Sequence, residues 1–84
     1  MKTVTLKISH DEALVLHEFL SRSDDQNDLT YEHEAEQKVV WNLEAQLDRY
    51  LVEPFVLEYR DLLDAARSRV LDAPIPQYVP QAEL

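Results

Sequence analysis

The residues of this chain with the most evident chemical capacity are Glu32, His33, Glu34 and Glu36, three carboxylates and an imidazole within five positions. Carboxylate oxygen and imidazole nitrogen are the donors that hold divalent transition metals. On a helix His33 and Glu36 share a face, but their order reverses the Glu-x-x-His element of dinuclear iron bundles, and no second copy completes such a site. The cluster therefore reads as a solvated helix start whose acids match the helix dipole. His10 and His17 stand seven positions apart, on nearly the same side of a helix, with no nucleophile near them. No carboxylate sits inside an apolar run where burial would tune it as a general acid or base. The sequence predicts no catalytic residue, no metal site and no cofactor.

The residue types that are missing exclude more. Among 84 residues there is no cysteine and no glycine. Without cysteine there is no disulfide or thiolate chemistry, which suits a reducing cytoplasm. Without glycine the phosphate-cradling loop, the dinucleotide fingerprint, the nucleophile elbow and the EF-hand are all excluded, because each needs a backbone only glycine allows. No apolar run is long enough to span a membrane, and the N-terminus lacks the apolar stretch of a secretory signal. A cytoplasmic protein is expected.

Charge is the strongest compositional feature. The formal net charge is −9, and residues 10–36 alone hold nine acids against one base, Arg22. Lys2 and Lys7 lie ahead of this block, and residues 37–84 are closer to balance. Such a field repels nucleic acid and attracts basic protein surfaces. Direct binding of nucleic acid or of a membrane is not expected.

The elements that must position these groups follow from periodicity. Residues 2–8 alternate polar and apolar, with Val4, Leu6 and Ile8 on one side, the signature of a short N-terminal β-strand that needs an edge to pair with. Ser9 and Glu12 then fit a capping box opening a helix over about 10–22. In that helix Ala13, Val15, Leu16, Phe19 and Leu20 form the apolar face, Asp11, Glu18 and Arg22 the solvent side, and Leu14 falls off the apolar face.

A polar connection leads to a second helix over about 31–53, with Asp28 or Thr30 as its expected cap. It carries one apolar face through Val39, Val40, Leu43, Leu47 and Tyr50. A separate one runs through Trp41, Ala45 and Val52, behind a ridge that includes Glu44 and Asp48. Two apolar faces need two neighbours, so this helix is expected to be central. Pro54 separates it from a third helix over about 55–71. The fold class is mainly α, a single domain over 1–72, and the prolines at 74, 76 and 80 imply an extended tail over 73–84.

The blocks HDEALVLHEFLSR, EHEAEQKVVWNLEAQL and LVEPFVLEYRDLLDAARSRV resemble those of a group of small uncharacterised bacterial proteins, a resemblance that implies a shared fold and no established activity. In size and charge the chain is also similar to the acidic immunity proteins that bacteria make against nuclease toxins. That likeness implies a non-catalytic immunity or antitoxin-like protein blocking a basic partner. Its expected contact surface is Asp24, Asp25, Asp28, Glu32, Glu34 and Glu36, with Trp41 as apolar anchor. The alternative is a homodimeric structural or adaptor protein whose interface combines the N-terminal strand and the Trp41 face.

Overall fold

The computed structural model describes residues 2–74. Ser9 opens the first helix as expected: its hydroxyl accepts from the Glu12 amide at 3.0 Å, and its own amide donates to Glu12 Oε1 at 2.8 Å. Helix α1 then runs His10–Asp25, three residues beyond its expected end. It stops in a Schellman motif, in which the Asn27 amide donates to the Asp24 carbonyl and the Asp28 amide to the Ser23 carbonyl. Asn27 takes φ of 57°, the left-handed conformation that glycine normally supplies and that a chain without glycine must give to asparagine.

Because the Asp28 backbone closes α1, the cap of the next helix falls to another residue. Helix α2 spans Glu34–Tyr50 and is capped by His33, whose Nδ1 accepts from the Ala35 amide at 2.9 Å. Glu36 Oε1 accepts from the Glu32 amide at 2.8 Å and completes the helix start. The helix ends at Tyr50, short of the expected 53, where Leu51 turns extended, and Pro54 sits in the first turn of a 3-10 helix over Glu53–Phe55, a place where its missing amide costs nothing. Val56 is extended, and α3 begins only at Tyr59, running to Asp72. The proline-rich tail expected over 73–84 lies, from residue 75 onward, outside the described residues.

The centre of the fold is α1, not α2. Helix α1 packs on both α2 and α3. It runs antiparallel to α3, since Asp11 meets Arg69 near one end and Glu18 meets Tyr59 further along. Leu14, the residue with no expected neighbour, is 2 % exposed and joins Leu20, Leu47, Leu51, Leu63 and Ala66 in the core.

The expected solvent side of α1 was its polar side, and that side is partly inside. Asp11 forms a two-point ion pair with Arg69, at 2.8 and 2.9 Å, and Tyr59 donates to Glu18. His17, almost fully buried, contacts Asp48. On α2 the reverse holds: Leu47 is buried, while Val39, Tyr50 and Trp41 are exposed. A polar residue with a partner across the fold packs as well as an apolar one, and the periodicity of one helix does not reveal the partner.

The expected N-terminal strand is also absent: the described residues contain no strand. Residues 2–8 make no backbone hydrogen bond to the rest of the described chain, which is helical and offers no sheet edge for them. Val4 and Leu6 remain 85 % and 77 % exposed.

Candidate protein-docking groove

Trp41 projects from the second turn of α2 and is half exposed. Its indole Nε1 donates to Asp24 Oδ1 at 3.1 Å, which ties the ring to the C-terminal end of α1. Glu44, Ala45 and Asp48 follow at three, four and seven residues, the spacing that puts them on the same stripe of α2. Together with Asp24 these residues line an open groove of about 300 Å³ where α1 and α2 meet. Glu44 and Asp48, expected to form a ridge between two apolar faces, are instead a wall of this groove.

Three carboxylates therefore share one groove with an aromatic ring. Burial raises the Glu44 carboxyl above its ordinary value, and the nearby charges of Asp24 and Asp48 push it the same way, against the opposing influence of His17 and a hydrogen bond from Ser21. Tyr31 is raised as well, by burial first and then by Asp24 and Glu44. Its hydroxyl is buried without a hydrogen-bond partner. His17 Nε2 and Asp48 Oδ1 lie 2.5 Å apart. The groove holds more negative charge than its own side chains neutralise, and a cation entering it would relieve the strain on Glu44.

Of the residues expected to bind a partner, Asp24 and Trp41 come together here. Asp25, Asp28, Glu32 and Glu34 are exposed around the α1–α2 connection and form no ion pair among the described residues. Glu36 is also exposed, with one oxygen engaged at the start of α2. Glu44 and Asp48, expected as a ridge, His17, expected at the surface, and Tyr31 were not among the residues expected to bind a partner. The stripe through 41, 44, 45 and 48 was the available signal for the first two.

Elsewhere, a second hollow of about 410 Å³ lies between α1 and α3, with Val15, Leu16, Phe19 and Val70 on its lining and both Glu18 and Arg22 beside them. Its acids and bases offset each other, so it selects no charged partner. No group of three His, Asp or Glu side chains among the described residues is placed to share a metal ion. No helix among them is long and apolar enough to cross a membrane. No protein-family model, curated protein or solved structure matches this chain.

Proposed function

We propose that this chain is a non-catalytic acidic binding protein, immunity or antitoxin-like, that blocks a basic protein partner such as a nuclease toxin. The observation that carries the reading is the half-exposed Trp41 ring held by Asp24 beside Glu44 and Asp48. A lysine or arginine side chain of the partner stacks on the indole face and meets a carboxylate on either side, an arrangement worth about 0.5–2 kcal/mol from the ring alone. Asp25, Asp28, Glu32 and Glu34 extend the negative surface from the groove and steer the partner toward it. Blocking is by occupation: the carboxylates take the places of substrate phosphates on the partner and no bond is made or broken.

The test uses Trp41 as its own reporter, because it is the single tryptophan. A tagged chain captures partners from host extract, and the purified partner is titrated into nitrogen-15-labelled protein. The expected result is a basic partner that shifts the one indole resonance, with weaker binding in the Asp24→Asn and Glu44→Gln variants. A partner that binds while leaving the indole resonance in place overturns the reading.

A further inference from the structure

The acidic groove and one exposed apolar patch of this molecule lie toward opposite ends of α1, a helix about 24 Å long. At the Asp25 end are the groove and the exposed acids of the connection. The His10 end is different. His10 Nε2 sits 2.6 Å from Glu53 Oε2, which brings the Glu53–Phe55 turn beside the start of α1. Exposed Val52, Phe55 and Leu57 flank that contact, Leu57 at 99 %. Residues 2–8, with Val4, Leu6 and Ile8 exposed, join α1 at this same end. The local charge is mixed: Lys2 and Lys7 precede this end of α1, and Asp11, Glu12 and Glu53 stand at it.

We propose that the His10 end is a two-fold interface with a second copy of this chain, in which residues 2–8 of the two protomers pair as an antiparallel β-ribbon centred on Thr5. The segment is self-complementary in that register. Val4 then faces Leu6 of the partner subunit, so all the apolar side chains of both strands fall on one side, as a two-residue repeat requires. Lys7 faces Thr3 of the partner subunit and Lys2 faces Ile8 of the partner subunit, and no lysine opposes a lysine. Sliding the ribbon by one position either way throws the two apolar faces to opposite sides, and in one direction it also sets Lys2 against Lys7 of the partner subunit. A shift that centres the pairing on Lys7 sets that residue against its own copy. Like charges directly opposed are destabilising, which removes these registers. Centring on Leu6 also keeps the apolar side chains together and opposes no lysines, but it pairs only residues 4–8, because Ser9 and His10 belong to the start of α1, whereas the Thr5 register pairs all seven residues.

A two-stranded ribbon is marginal alone in water. Here its apolar face has a cover, since Val52, Phe55 and Leu57 of both protomers stand exposed at the same end. The occupant is a second copy because the pairing residues match themselves and because this geometry carries the two acidic ends outward. Two copies meeting at Trp41 would instead press those acids together. The dimer is independent of the partner proposed for the Trp41 groove, and it presents two such grooves facing away from each other.

Light scattering on the full chain, combined with cysteine cross-linking, tests this. The chain has no cysteine, so an introduced pair reports on register without background. The proposal expects a particle of twice the 9.8 kDa chain mass. Leu6→Lys should shift it to monomer with unchanged helical circular dichroism, because Leu6 lies outside the helical core. In the centred register two copies of Thr5 face each other at about 4.5–5.5 Å between Cα atoms, within disulfide range. Two copies of Thr3 stand about 14 Å apart along the strands. Thr5→Cys should therefore cross-link under mild oxidation and Thr3→Cys should not. A monomer at every concentration overturns the proposal, as does a dimer abolished by Trp41→Ala and untouched by Leu6→Lys. Equal cross-linking at the two positions overturns the register.

Discussion

The indole of Trp41 and the carboxylate of Asp24, seventeen residues apart, are joined by one hydrogen bond of 3.1 Å that fixes the lip of the acidic groove. The bond ties the ring to the end of α1 while half the residue remains exposed to solvent. A half-exposed aromatic presented beside carboxylates is the arrangement from which interface anchors are built.

Truncating that anchor should cost about 2 kcal/mol of partner binding, or roughly thirtyfold in Kd. Trp41→Phe, which keeps a ring and loses the donor to Asp24, should fall between wild type and Trp41→Ala. Isothermal titration with the captured partner measures both, and equal affinities for all three proteins would remove Trp41 from the interface.

The hub role of α1 makes a stability prediction. Leu14 is 2 % exposed and Val39, on the helix expected to be central, is 65 % exposed. Leu14→Ala should cost about 2–5 kcal/mol. Val39→Ala should stay within about 0.5 kcal/mol of wild type. Urea midpoints of the two variants decide between α1 and α2 as the centre.

Glu44 carries a pH signature. Its carboxyl is raised in the fold, so folding is opposed once the group ionises and unaffected where folded and unfolded forms are both protonated. Glu44→Gln should therefore raise the Tm at neutral pH, with the gain fading as pH falls through the raised folded value toward the ordinary 4.5. A bound cation reverses the preference: partner affinity should rise with pH over the same window in wild type and lose that dependence in the variant. Paired thermal melts and titrations across the acid range measure the two effects.

The Asp11–Arg69 pair has the opposite sign. The Arg69 hydrogen bonds hold the Asp11 carboxyl below its ordinary 3.8, against a smaller effect of burial. Its stabilisation is whole above 3.8 and is lost as pH falls through the lowered folded value. Arg69→Met should lower the Tm at neutral pH and converge on wild type in strong acid. Thermal melts taken between neutral and strongly acidic pH check it.

Local signals in the sequence were legible and long-range ones were not. Ser9 and Glu12 declare the start of α1 because a capping box is complete within four residues. The end of α1 was hidden by Asn27 standing where glycine usually signals a stop. The cap of α2 was hidden by His33, an imidazole outside the usual capping set. The arrangement of helices was misread for one physical reason. Asp11, His17 and Glu18 look solvated along α1, yet their partners Arg69, Asp48 and Tyr59 come from 58, 31 and 41 residues away. Trp41 and Asp24 stand out in the sequence by type and charge, and the hydrogen bond between them does not. Glu44 and Asp48, expected as a ridge, line the groove instead, since a ridge and a groove wall share one helical stripe.

The central claim, that the acidic end of α1 receives a basic partner, is tested most directly by the association rate constant measured against ionic strength. The account predicts a rate that falls about tenfold or more from low to moderately high salt, with a shallower slope when Asp24, Glu44 and Asp48 are neutralised together. A rate indifferent to salt, or a slope unchanged by those three substitutions, would contradict it.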